Sequence, residues 1–449
     1  MDRTIDEVLD TALEAAGSTP VGVSLSGGRA SLTRFGDNRV HQSVDESRWT
    51  LHVQAEHAEG NDLRRAMATT TDLSERGISE AVARASAAAS QTRAAALPAL
   101  VYAEEAAPMP DVSAAYDMRT AEAGPAWRVD FAAGAVLAAR QRSLLTAGYV
   151  RTVDGTTSDF GPAQPLAYAN SRGLRRRWRP TSIDATVVMR DPGGASGWSG
   201  AWSRQRSEVD ANAMVAEALE ICRRAKHRDA PPTGRQRVIL MPAAVADLFY
   251  FLSGTFSARA VREGTSRLAQ HDGSALLAPG LTLRAAPSDP RLLACPFDSE
   301  GHICEPLTLL ADGQPVDLAR DGRDALADGA PSNGYAPPVG RSGGASPRGW
   351  ILDGGQGSPS DLLARNPDAM VVTRLWYNRM VEPYRVRVTG MTRDGFFERR
   401  NGVVVRAFED TRYNVEVFDM LARALDASAP IRVRDTLAPA LLVDGFPFA

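Results

Sequence analysis

Arg34-Phe35-Gly36-Asp37-Asn38-Arg39-Val40-His41-Gln42-Ser43 decides how the N-terminal half reads. Gly36-Asp37-Asn38 is a turn-prone cluster between two extended runs, so one strand ends here and the next carries His41. The period of two then continues. Trp49, Leu51, Val53 and Ala55 alternate with Thr50, His52, Gln54 and Glu56, the pattern of a half-buried strand. Upstream, Thr4 and Glu7 form a capping box ahead of Ile5, Val8, Leu9, Ala12, Leu13 and Ala16 at helical spacing, and Gly17 stops the run. Downstream, an Ala-rich helix is predicted from Leu73 to about Thr92, with Ile78, Val82 and Ala85 on one side. Helix, antiparallel strands, helix makes an α+β unit.

Further along, residues 95–115 are rich in Ala, Pro and acids without a period, and read as a linker. Pro125 opens a helix reaching about Arg142, followed by strands near 145–152, 165–170, 181–190 and 199–205. A helix over 209–227 ends in Arg223, Arg224, Lys226 and His227, the charge that suits a helix C-terminus. Val238–Met241 reads as a buried strand, and Pro242 starts a helix through Leu248 and Phe251. Tyr384, Val386 and Val388 alternate with Arg385, Arg387 and Thr389, a further strand. Asn401-Gly402, between Phe396-Phe397 and Val403-Val404-Val405, signals a hairpin. Residues 321–349, loaded with Gly, Pro, Ser and Asp, are a long stretch without a period. Tyr413–Leu425 reads as a late helix, and Ala440–Val443 as a closing strand. The expected organisation is an N-terminal α+β domain (1–94), the linker (95–115), a central α+β segment (116–234) and a β-rich antiparallel domain (235–449).

Bulk properties exclude several classes. At 449 residues the chain exceeds one compact core. Its 44% hydrophobic and 23% charged residues are those of an ordinary globular protein, and a net charge of -3 offers no general attraction for nucleic acid. No apolar run approaches the roughly 18 residues of a membrane span, and no apolar segment follows a basic start. Cys222, Cys295 and Cys304 show neither metal spacing nor a disulfide framework, which fits a reducing cytoplasm. Lys226 is the single lysine among 51 basic residues, so lysine chemistry has one candidate.

The residues offer few catalytic constellations. His41, His52 and His57 are close in sequence, but His52 falls on the polar face of its strand and all three read as surface or hydrogen-bonded residues. His302 and Cys304, beside Asp298 and Glu300, could form a Cys–His pair. Two positions apart on an extended segment rarely converge on one atom, so a packed thiol is the preferred reading. Arg172, Arg175, Arg176, Arg177 and Arg179 with Trp178 form a basic strip, read as a hairpin across Asn170–Gly173 with a solvated arginine face. No phosphate loop, dinucleotide fingerprint or Gly-x-Ser-x-Gly elbow occurs.

Taken in order, the Arg34–Ser43 string, Tyr168-Ala169-Asn170-Ser171 with Gly173, Val238–Pro242, Phe297-Asp298 with Glu300-Gly301, Asp312-Gly313, Leu352–Leu363 and Leu441–Gly445 resemble the TldD/PmbA family. The resemblance implies an N-terminal α+β region, a C-terminal antiparallel β-barrel-like domain, and one subunit of a two-subunit zinc peptidase that cleaves peptide in an enclosed chamber. The family's catalytic subunit carries a His-Glu-x-x-x-His helix shortly after the strand that Val238–Met241 resembles. Matching without a gap puts Tyr250, Phe251 and Thr255 at its zinc-site positions, and no His lies between His227 and His271. Zinc takes imidazole, thiolate or carboxylate donors, and these side chains supply none. The resemblance therefore implies the TldE/PmbA-type subunit with no metal of its own, a zinc-bearing TldD-like partner and a peptide substrate; the net charge and the lack of a long apolar run, for their part, lead to the expectation of no contact with nucleic acid or membrane. Asp298, Glu300 and Gly301 are its family motif. The alternatives are a stand-alone binding or regulatory protein, and an independent cysteine hydrolase using Cys304 and His302.

Overall fold

A computed structural model describes residues 3–59, 62–92, 107–157, 164–339 and 344–449. Helix α1 (Ile5–Ala16) starts at the expected capping box: the Glu7 amide donates to Thr4 Oγ1 at 3.3 Å, and the Thr4 amide donates back to the Glu7 carboxylate at 2.7 Å. The first sheet follows, from β1 (Val21–Gly36), β2 (Arg39–Glu59) and β3 (Asp62–Thr70). After α2 (Glu75–Gln91), α3 (Met118–Ala121) and α4 (Pro125–Arg140) it is extended by β4 (Leu145–Gly155), β5 (Ala167–Asn170), β6 (Arg175–Arg177), β7 (Thr181–Arg190) and β8 (Ser196–Ser203). The antiparallel order is β3-β2-β1-β4-β7-β8, with β5 beside β1 and β6 beside β5. The turn read from the sequence sits between β1 and β2, where Asp37 and Asn38 both hold positive φ, as a two-residue hairpin needs.

This sheet joins residues from both sides of 95–115, since Leu32 of β1 pairs Val44 of β2 on one side and Arg151 of β4 on the other. Of that stretch, 95–106 lie outside the described residues; Ala115, at its end, is buried beside Tyr168 and Trp178. One face is apolar along its length. Val21, Val23, Leu25, Leu51, Val53 and Ala55 pack under α1 and α2. Val150, Ile183, Ala185 and Val187 pack under α4 and α5 (Ala211–Arg224). The opposite face meets the C-terminal half.

That half contains β9 (Arg228–Asp229), β10 (Gly234–Leu240), α6 (Pro242–Phe249), α7 (Ala258–Arg262), β11 (Thr282–Ala285), β12 (Leu307–Ala311) and β13 (Gln314–Pro315). Next come α8 (Gly322–Asp328), β14 (Trp350–Asp353), α9 (Pro359–Arg365), β15 (Met370–Glu382), β16 (Arg387–Arg400) and β17 (Val403–Phe408). The chain closes with β18 (Arg412–Glu416), α10 (Val417–Ala422), β19 (Ala424–Ala427), β20 (Ile431–Val433), β21 (Thr436–Ala438) and β22 (Leu441–Phe448). One sheet runs β15-β10-β22-β18-β16-β17-β9, and a β15–β16 pairing turns it back on itself; β22 meets β18 through the single pair Tyr413–Phe448. The other runs β13-β12-β11-β14-β21-β20. A shared apolar core lies between them, centred on Phe249, Phe256, Trp350 and Phe418, with ring centroids 6.0–6.4 Å apart. The protein is α+β with large antiparallel sheets.

Three local expectations need correction. Residues 413–425 are not one helix. Tyr413 and Val415 bury on alternate positions of β18, and only 417–422 turn helical, because Val417, Phe418, Met420 and Leu421 then reach the core. Tyr384 and Val386 lie in the turn between β15 and β16 rather than in a strand, with Val386 at positive φ. Within 321–349, residues 322–328 are helical and Asn333 ties the following coil down, accepting from the Arg320 amide at 2.7 Å and donating to the Leu318 carbonyl at 2.8 Å. The Asn401-Gly402 hairpin forms as read, between Arg400 and Val403.

Candidate functional site

Helix α6 starts at Pro242 because its ring suits the first helical turn, and it tightens into a 3-10 turn at Tyr250–Leu252. The three positions matched to a zinc helix therefore scatter. Tyr250 projects into solvent at 67% exposure, Phe251 leans on the main core, and Thr255 is buried at 6%. The Thr255 carbonyl accepts from Ser266 Oγ at 2.7 Å. No imidazole, thiolate or carboxylate is among the three, so zinc does not fit there. Among the described residues, no three of His, Cys, Asp and Glu form a group that could hold a metal ion.

The Asp298–Gly301 turn is a joint. Asp298 is fully buried, and its carboxylate accepts backbone N–H from Glu300 (2.9 Å), His302 (3.0 Å) and Ala336 (2.9 Å). Glu300 accepts from the Gly322 amide at 2.9 Å, the first residue of α8. Burial, followed by the charges of Asp298 and Asp321, pushes the Glu300 carboxyl well above its ordinary value. Gly301 takes φ +87°, and its carbonyl accepts from Nε of the buried Arg176 at 3.2 Å. These residues tie the first sheet, α8 and the coil at 333–336 together, and their polar atoms are used in doing so.

Cys304 is buried, with Arg348 Nη2 donating to its sulfur at 2.7 Å and the Cys295 carbonyl 3.8 Å away. Burial pushes its thiol above the ordinary range, so it stays protonated at neutral pH. His302 contributes its backbone amide to Asp298, and its segment is a loop rather than the extended strand read from the sequence. His41 and His57 are exposed, while burial lowers the half-buried His52 imidazole. The arginine strip forms the β5–β6 hairpin as read, but its exposure alternates: Arg175 and Arg177 are solvated and Arg176 is 5% exposed. Lys226 lies on the surface 4.0 Å from Asp191.

Sequence reasoning missed a strip where the three sheets meet. Arg374 lies between Trp198 and Trp376, 4.9 and 5.1 Å from their ring centroids, and pairs with Asp394. Trp198 stands 5.9 Å from Trp202, whose ring lies 5.5 Å from the guanidinium of Arg434. Arg434 approaches Asp247 at 3.7 Å, and burial raises that carboxyl to about 6 against the pull of Arg434 and Arg374. Tyr149 donates to Asp184 at 3.0 Å, and burial raises Asp184 too. The strip offers aromatic faces, guanidinium edges and two carboxyl groups whose pKa burial raises. Its one sequence signal is Trp198, Gly200 and Trp202 at period two, on the sheet face away from the helices.

Residues 233–449 match the model of the PmbA/TldA metallopeptidase C-terminal domain. Among solved structures, a protein described as a candidate modulator of a DNA gyrase from Thermotoga maritima is similar at 18% identity and a TM-score of 0.79, covering 99% of this chain and 100% of that one. TldE from Thermococcus kodakarensis is similar at 18% identity and a TM-score of 0.79, covering 99% of each chain. A second candidate gyrase modulator, from Bacteroides thetaiotaomicron, matches at 15% identity and a TM-score of 0.76, covering 99% of this chain and 97% of that one. At these identities the structures speak to fold alone. No curated protein matches the chain.

Proposed function

This chain belongs to the TldD/PmbA family and is metallopeptidase-related, and on that premise we propose that it is the metal-free subunit of a TldD/TldE-type zinc peptidase. The observation that carries the reading is the content of positions 250–255: an exposed Tyr250, a core-packed Phe251 and a buried Thr255 where the family's catalytic subunit has zinc donors and a base. In this reading a TldD-like partner supplies the zinc and activates the attacking water. This chain closes the chamber and holds the substrate, a peptide or modified peptide whose peptide or amide bond is cut. The Trp198–Trp202–Arg374–Trp376 strip suits that task, since aromatic faces and guanidinium edges grip a peptide without demanding one sequence. A cytoplasmic location fits its free thiols.

The test is co-expression with a partner that carries His-Glu-x-x-x-His, then peptide cleavage by each chain alone and by the two together. Expected are cleavage by the pair, about one zinc per partner by elemental analysis, and neither zinc nor cleavage from this chain alone. A monomer that ignores the partner at micromolar concentration in light scattering, or a lone chain that holds zinc and cleaves peptide, overturns the assignment.

A further inference from the structure

A cavity of about 530 Å³ opens on the C-terminal half, and none of its lining residues belongs to 250–255, 298–301 or the aromatic strip. Its floor is apolar, with Phe418 and Leu276 each 1% exposed. Three arginines and two carboxylates stand around that floor, leaving one positive charge in excess. Two of the arginines are paired: Arg235 with Asp419 at 3.1 Å and Arg387 with Glu416 at 2.6 Å. Arg267 is not. Its guanidinium lies 5.4 Å over the Phe418 ring, and among the described residues no carboxylate or hydrogen-bond acceptor reaches it. Asn414 on β18 also lines the cavity, and among the described residues its side-chain amide makes no hydrogen bond.

A guanidinium stacked on a ring keeps its edge N–H groups free, and that edge matches a carboxylate in bidentate geometry. One excess charge suits a monoanion. A dianion such as phosphate would meet Glu416 and Asp419 in the same wall. We propose that this cavity binds a monocarboxylate with an apolar body. The carboxylate sits on Arg267, with Asn414 as a further donor, and the body covers Phe418 and Leu276. A free small acid and the C-terminus of a peptide share this chemistry. The inference needs neither zinc nor a partner subunit, so it stands or falls separately from the peptidase reading.

Calorimetric titration of the purified full chain at low salt tests it. The probes are N-acetylphenylalanine and its carboxamide, then a short peptide ending in Leu-Phe as free acid and as amide. The acids should saturate, the amides should bind at least about tenfold more weakly, and added salt should weaken the acids. Arg267→Gln should lower acid affinity about tenfold with an unchanged melting temperature. Peptide acid binding as tightly as the small acid identifies a chain end as the ligand; exclusion of the peptide identifies a free acid. Equal binding of acid and amide by the unaltered chain overturns the proposal, as does unsaturated binding at millimolar concentration or full affinity in a folded Arg267→Gln. If that variant does not fold, the acid–amide comparison decides alone.

Discussion

Replacing Gly301 by Ala should damage the protein far more than one methyl group suggests. Two independent costs apply. The backbone is held at φ +87°, where an L side chain is strained by about 1–2 kcal/mol. The new Cβ would lie 2.5 and 2.7 Å from ring carbons of Tyr168 and 2.9 Å from a Leu174 methyl. Neither neighbour can step aside, since Tyr168 is 1% and Leu174 5% exposed within the cluster that includes Cys295 and Phe297. Overpacking a well-filled interior costs about 1–3 kcal/mol, so the sum is about 2–5 kcal/mol. Relief by shifting the turn would stretch the Arg176–Gly301 bond and expose a buried guanidinium to an unmet demand. The internal control is Gly329→Ala: φ is +64° there, but no atom lies within 4 Å of the added Cβ. That variant should show the backbone cost alone. Urea unfolding followed by circular dichroism compares midpoints of the transition, without requiring that the whole chain unfold in one step. If Gly301→Ala is no less stable than Gly329→Ala, the packing argument is refuted.

Two further outcomes follow from buried titratable groups. Glu300 has its pKa raised in the folded state, so the fold binds that proton more tightly than the unfolded chain does, and stability falls as pH rises from the unfolded value near 4.5 through the folded one. Each pH unit inside that window withdraws about 1.4 kcal/mol. Glu300→Gln, which keeps an oxygen for the Gly322 amide, should therefore be as stable or more stable than the parent at pH 8 and lose part of its pH dependence; a lower melting temperature at pH 8 than the parent would contradict the assigned cause. Cys222, Cys295 and Cys304 are 1–2% exposed, and burial raises all three thiols, so Ellman's reagent at pH 8 should find no fast-reacting thiol until denaturant is added. One fast equivalent would reopen the case for a reactive cysteine.

The parts legible in the sequence were those set by neighbours along the chain. Asp37-Asn38 and Asn401-Gly402 hold positive φ and make two-residue hairpins, and Thr4 with Glu7 caps α1, because each needs a few adjacent residues of suitable chemistry. Residues 413–425 were misread because a buried strand and a short buried helix follow each other without a break, and the apolar run Val415, Val417, Phe418, Met420, Leu421 fits a helical period as well as the true succession. The aromatic strip was out of reach for another reason. Trp198 and Trp202 lie on β8, Arg374 on β15 and Arg434 in the turn between β20 and β21, and only the docking of three sheets brings Arg374 to 4.9 Å from the Trp198 ring and Arg434 to 5.5 Å from the Trp202 ring.

The same contrast separates frame from chemistry in this chain. The most informative string in the sequence, Asp298 to Gly301, commits its polar atoms to backbone partners: three amides for Asp298, the start of α8 for Glu300, an arginine of the first sheet for Gly301. A carboxylate held by three amides, as that of Asp298 is, gains rigidity and loses the freedom to accept a substrate proton. What the string fixes is the seating of the first sheet on the C-terminal half, through Tyr168, Leu174 and Arg176. Positions 250–255 sit in a different situation. They follow a helix whose buried side is settled by Val245, Leu248 and Phe249, and an exposed Tyr250 costs the fold little. The architecture thus rests on the joint at 298–301 and on the buried side of α6, and neither asks for a metal donor at the exposed position 250.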